Sequence, residues 1–273
     1  SGRCGIAGLR ESRVAPGRQV PVMRGARALP LSLIASAIVL ACTDIPTGAD
    51  DVLSFQLNPL PSPSVVVGDT LRDSAGVVAP LTITAFNYSG DVVEGAAARF
   101  RATDARVRVD SVTGIVVGDS VSDTPSRILA ILDGFNAIIN MPVVLRPDTV
   151  IQANARDSLG YSLTDTTANV SNPMGVRVLH GLTTTDSAVA SYRVTFQMTA
   201  PGDTALARLV TDAGARSTVD TTDASGGANR KIRIDVTRLT APVDSVIVLA
   251  NVRYRGQHVR GSPVRLVLKL KPK

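Results

Sequence analysis

Short runs in which apolar and polar residues alternate, each closed by turn-forming residues, constrain this chain most. Residues 81–86 (LTITAF) put Leu81, Ile83 and Ala85 on one face and Thr82, Thr84 and Phe86 on the other, the period of a half-buried strand. Asn87, Tyr88, Ser89, Gly90 and Asp91 follow as a turn. Residues 97–102, 107–110 and 112–117 continue the strand pattern, and 127–132 places Ile128, Ala130 and Leu132 on one side. Asp133-Gly134 is a hairpin signal, with 135–145 as the return strand. Residues 149–153 are expected to close that sheet. The polar segment 156–172 reads as a last edge strand and a linker ending at Pro173. From Met174 the pattern restarts with strands at 176–179, 191–198, 204–210, 231–236, 245–252 and 264–270. No stretch carries a convincing period of 3.6 residues, the mark of an amphipathic helix. Strands at spacings of about ten residues predict an all-β chain of two tandem sandwiches, over 52–155 and 174–273 with 156–173 between them.

One run departs from this pattern. Arg24 and Arg27 precede an apolar stretch, 28–41, broken only by Pro30, Ser32 and Ser36. It is shorter than the roughly 20 residues a helix needs to cross a bilayer. A basic head, a short apolar core and small residues at its end read as an export signal. The stretch ends in Val39-Leu40-Ala41-Cys42, which resembles the lipobox of bacterial lipoproteins. The resemblance implies cleavage between Ala41 and Cys42 and lipid on the Cys42 thiol. It makes 23–41 a signal peptide and 42–51 a lipidated tether. Residues 1–22 fit no part of this scheme; translation is expected to start at Met23, the alternative being an extended n-region of the signal. Thr43, not Asp, follows the cysteine, which in that family favours the outer over the inner membrane.

Charge must be read on each side of Cys42. Six of the 29 basic residues and one of the 23 acids precede it, leaving a net of +1 of the chain's +6. The positive balance is therefore a poor argument for nucleic acid, and no nucleic-acid partner is expected. What remains is uneven. From Arg230 to Lys273 eleven basic residues face only Asp235 and Asp244. Arg253, Arg255, Arg260, Arg265 and Lys269 are the candidates for contact with a polyanion. Cys42 is the only cysteine past the signal, so no disulfide is expected within that part and its stability must come from packed apolar cores. Asp is frequent there and Glu nearly absent, a balance that favours turns over helices.

The strand and turn residues also resemble bacterial immunoglobulin-like domains of the invasin and intimin kind. In the first unit the match runs from 81–86 through Ser89-Gly90-Asp91-Val92-Val93-Glu94-Gly95 to Ala98-Arg99-Phe100. In the second it is Val194-Thr195-Phe196 and Thr222-Asp223-Ala224-Ser225-Gly226-Gly227-Ala228. The resemblance covers about 200 residues. It implies two immunoglobulin-like sandwiches that act as spacers or adhesive modules at a cell surface, and it carries no catalytic residues.

Chemistry is sparse. A catalytic set needs nucleophile, base and orienting group together, yet the chain has two histidines, His180 and His258, each close to a glycine. Neither a G-x-S-x-G elbow nor an HExxH, P-loop or CxxC motif is present. His180 beside Thr183, Thr184, Thr185 and Asp186 is read as a loop histidine. Asp220 and Asp223 lack the alternating acids of a Ca²⁺ loop and read as a polar turn, as do Asp104 and Asp110. The expectation is a non-enzymatic, lipid-anchored cell-envelope protein for display, spacing or adhesion, without metal or cofactor. Its partners would be the membrane and a cell-wall polymer or another surface protein. The alternative is a glycan-binding module that uses the basic C-terminal face.

Overall fold

The computed structural model describes residues 48–272, apart from 155–156, 166–168, 184–185 and 239–242. The leader, Cys4, Cys42 and most of the tether lie outside the described residues. Among those described there is no α-helix; a single 3₁₀ turn at Val236–Arg238 is the one helical element.

The first sandwich holds β1 (Ser54–Leu57), β2 (Val65–Val66), β3 (Ile83–Phe86), β4 (Arg99–Ala102), β5 (Val107–Val109), β6 (Val116–Gly118), β7 (Ser126–Leu132), β8 (Phe135–Met141) and β9 (Val143–Val144). β4, β7 and β8 form one antiparallel sheet, while β1 pairs with β3, β5 with β6, and β2 runs parallel to β9. The alternation read in 127–132 is the packing: Ser126, Ile128, Ala130 and Leu132 point inward while Arg127 and Ile131 face out. Asp133 and Gly134 both take positive φ, 47° and 86°, the two-residue turn whose twist matches a hairpin. Leu71, Phe100, Val107, Val116, Ile128 and Met141 form the centre of this core.

The second sandwich is built from β10 (Thr149–Gln152), β11 (Asp157–Tyr161), β12 (Met174–His180), β13 (Ser187–Ala188), β14 (Arg193–Ala200), β15 (Ala207–Val210), β16 (Val219–Thr221), β17 (Gly227–Ile234), β18 (Ser245–Asn251), β19 (Arg253–Tyr254), β20 (Gln257–His258) and β21 (Val264–Pro272). One sheet runs β10-β12-β17-β15 with β13 beside β12; the other runs β11-β21-β18-β14-β16. Val176, Val178, Phe196, Ile232, Val248 and Leu268 meet between them. Tyr192, Val194 and Phe196 are buried, as their alternation requires.

Two expectations are corrected. Residues 149–153 do not close the first sheet: β10 pairs with β12, and Val150 lies in the second core. Nor is 156–172 only an edge strand of the first unit and a linker. β11 runs parallel to β21, Leu159 beside Leu270, and buries Leu159 and Tyr161 in the second core. A parallel partner more than a hundred residues away leaves no local turn signal. Arg230, the first of the eleven C-terminal basic residues, is not part of a surface charge. It is buried on the inward side of β17, held by Asp220 at 3.0 Å and by the carbonyls of Ser217, Asn229 and Val219, over the Phe196 ring.

Candidate functional site at the junction of the sandwiches

A polar cluster that spans both sandwiches lies where they meet. Asp69 follows β2 on a tight turn, its N–H bonded to the Val66 carbonyl. Its side chain is almost completely buried. Such a carboxylate must be paired or neutralised. Thr70 N–H donates to Oδ1, and Arg72 reaches both oxygens, with Nη2 at 3.0 Å from Oδ1 and Nε at 3.1 Å from Oδ2. Arg255 donates from the second sandwich, Nε to Oδ2 at 2.9 Å. Burial pushes the Asp69 carboxyl up, but the hydrogen bonds from Arg255, Arg72 and Thr70 outweigh it and hold it well below the usual carboxylate range. Asp69 is thus ionised and shared between the two sandwiches.

The neighbouring groups fix the same contact. Arg255 and Gly256 both have positive φ, 48° and 78°, and turn the β19–β20 hairpin toward the first sandwich. Arg72 Nη1 also donates to the Gly76 carbonyl. Gly76, at φ 87°, lies so close to the hairpin that a Cβ there would collide with the backbone of Arg255 and Gly256. Tyr192 Oη donates to the Arg253 carbonyl at 2.6 Å, and burial pushes its phenol up. Arg193 Nη2 donates across to the Pro61 carbonyl at 2.6 Å. A polar cavity of about 80 Å³ remains, lined by Asp69, Arg72, Tyr254 and the buried Ser64 hydroxyl, which meets no protein partner.

The five basic candidates do not share one place. Arg253 and Arg255 line this junction. Arg265 and Lys269 point out from β21, opposite Leu249 and Ser245 of β18, and Lys271 extends their column. Arg260 donates to the Leu182 carbonyl. The sequence does not mark Asp69 or Arg72, and it marks Tyr192 only as one face of the 191–198 strand. The only trace is the Asp69-to-Arg72 spacing, since Arg255 is 186 residues from Asp69.

His180 Nδ1 lies 2.8 Å from Asp148 Oδ2 and 3.0 Å from the Arg146 carbonyl. Both of these partners, a carboxylate and a backbone carbonyl, are hydrogen-bond acceptors, and neither is a nucleophile of the hydroxyl or thiol kind. His258 Nδ1 meets Ser262 Oγ at 3.0 Å, but that oxygen already accepts the Val252 N–H, and Arg253 occupies Nε2. Asp223 accepts the N–H groups of Ser225 and Gly227 and so closes a polar turn. Asp104 binds Arg106 and Ser126, and Asp110 the N–H groups of Val112 and Thr113. Among the described residues no three acidic, histidine or cysteine side chains cluster as metal ligands, and no helix is long and apolar enough to cross a membrane.

No family model and no curated protein matches this chain. Solved structures with a similar arrangement include domains 4 and 5 of the S-layer protein SbsC, at 12% identity over 81% of this chain and 98% of that one, TM-score 0.29. A longer SbsC fragment, rSbsC(31-844), aligns over 28% of its own length at 10% identity over 82% of this chain, TM-score 0.29. Human protocadherin-24 EC1-2 aligns at 12% identity over 82% of this chain and all of that one, TM-score 0.25. At these scores the fold assignment rests on the strands and cores of this chain itself: it is an all-β protein of two tandem immunoglobulin-like sandwiches.

Proposed function

We propose that this chain is a non-enzymatic module of a bacterial cell envelope, held on the outer membrane by lipid on Cys42, that displays its two sandwiches as one stiff unit. The observation that carries the reading is the shared Asp69. A spacer works by holding a fixed geometry, and a buried carboxylate gripped by one arginine from each sandwich opposes bending at the junction. The export-type run ending at Cys42 supports the anchor. The test is the intact mass of the protein purified from its native membrane. A mass of residues 42–273 plus a diacylglyceryl group, with or without an acyl chain, is expected. A mass that retains residues before Cys42 and carries no lipid overturns the anchor.

One observation favours a second reading, a module that binds cell-wall glycan. Arg265, Lys269 and Lys271 form an outward column on β21 with no ion-pair partner among the described residues. Retention on cell-wall polymer that falls with salt and is lost in Arg265→Glu/Lys269→Glu would support it; a spacer alone shows no retention.

A further inference from the structure

Proteins blunt the free edges of their sheets with charges, prolines or very short strands, because an open edge templates pairing with another chain. The edge strands here mostly obey. β4 has four residues and carries Arg99 and Arg101; β11 has five and carries Asp157; β15 has four and carries Arg208; β16 has three and carries Asp220. β8 is the exception. It is a seven-residue strand, FNAIINM, with no charge and no proline, and it pairs only with β7. Phe135 and Ile138 are 41% and 54% exposed along it.

The hairpin register shows which backbone groups are free. Leu132 lies opposite Phe135 across the two-residue turn, so the odd-numbered residues of β8 exchange hydrogen bonds with β7. The Arg127 carbonyl agrees: on β7 it faces Asn140, and it accepts from Thr103 on the far side, not from β8. The N–H and C=O of Asn136, Ile138 and Asn140 therefore point away from β7, where no described strand pairs. Beyond Met141 the edge is closed by Pro142 and by the parallel pairing of β2 with β9. The open segment is thus residues 135–141, and its middle residue is Ile138.

We infer that two copies of this chain pair through β8, antiparallel about a two-fold axis at Ile138. That register is self-complementary. On the outer face Ile138 meets Ile138 of the second copy, and each Asn136 amide meets the other copy's Asn140. On the inner face Ala137 lies opposite Ile139, and the half-exposed Phe135 opposite Met141. Asn136, Ile138 and Asn140 each exchange a pair of backbone hydrogen bonds, and no charge opposes a like charge. The result is a six-stranded sheet running β4-β7-β8 and back. One strand seam is smaller than the roughly 1,600 Å² of a standard interface, so the association is weak and rises with concentration, as on a crowded surface.

The test is sedimentation velocity on the full-length chain between about 5 and 500 μM, the range in which a small interface reports. The wild type should pass from monomer to dimer. Ile138→Lys, which sets two lysines against each other at the axis, should lower the association constant by about tenfold or more. Asn136→Lys/Asn140→Lys and Asn136→Glu/Asn140→Glu should each stay monomeric alone and form a heterodimer when mixed. These positions face solvent in the monomer, so unfolding midpoints should hold. A wild type that stays monomeric, a dimer indifferent to Ile138→Lys, or mixed variants that fail to associate would each overturn the proposal.

Discussion

At the scale of single residues, Asp69 decides whether the junction is polar and firm or polar and strained. Removing its charge leaves Arg72 and Arg255 facing a neutral amide. Asp69→Asn is expected to cost about 2–3 kcal/mol, the range for hydrogen bonds to a buried charge. The pH dependence has a definite sign. The folded carboxyl sits below its unfolded value of about 3.9 because Arg255, Arg72 and Thr70 outweigh burial. Its contribution is fully present above pH ~4 and is lost as pH falls through the folded value. The gap in unfolding free energy between wild type and Asp69→Asn, followed by urea titration, should stay level from about pH 7 to 5 and narrow below about pH 4. A gap that widens in acid would mean that the carboxylate is not the stabilising form. Beyond the Asp69-to-Arg72 spacing, little of this is legible in sequence: Asp69 sits in an ordinary Gly-Asp-Thr turn, and a salt bridge to a residue 186 positions away has no periodicity to betray it.

At the scale of elements, the readable features were those whose cause is local. The β7–β8 hairpin announces itself through Ile128, Ala130 and Leu132 inward and Asp133-Gly134 at the turn. β14 and the residue before it do so through Tyr192, Val194 and Phe196. β10 and β11 were placed in the wrong sheet because their partners, β12 and β21, are set by the closed sandwich and not by neighbours in the chain. The β19–β20 turn escaped notice because it puts Arg255, not Asn or Asp, at a positive φ. Turns also differ in what they demand of glycine, and this is testable. Gly134 has φ 86° and open space around its Cα, whereas Gly76 has φ 87° and the Arg255–Gly256 backbone in the way. Gly134→Ala should cost about 1 kcal/mol, the strain of a left-handed alanine. Gly76→Ala should cost about 3 kcal/mol, since the hairpin must also be displaced. Equal urea midpoints for the two variants would contradict the close approach of Gly76 to the hairpin.

At the scale of the whole molecule, the two sandwiches have separate cores, and the junction joins them by polar contacts more than by apolar burial. Val66 and Val144 carry some of the second core's packing into the first sandwich, but the ion pair and the Arg193–Pro61 bond resist rotation. Stability and stiffness should therefore separate. Arg255 is half exposed, so Arg255→Ala should lower unfolding free energy by only about 1 kcal/mol, and it removes no buried core residue. The inter-sandwich angle, in contrast, loses the charge that spans it. Small-angle scattering should show a broader pair-distance distribution and a longer maximum dimension for Arg255→Ala and for Arg193→Ala. The double variant should broaden further, because the two arginines grip different parts of the first sandwich, Asp69 and Pro61. Asp104→Asn, which breaks the ion pair to Arg106 inside the first sandwich, is the control: it should leave the scattering profile unchanged. If the arginine variants scatter like the wild type, the stiffness resides in the chain between β9 and β10, and the shared carboxylate adds only stability.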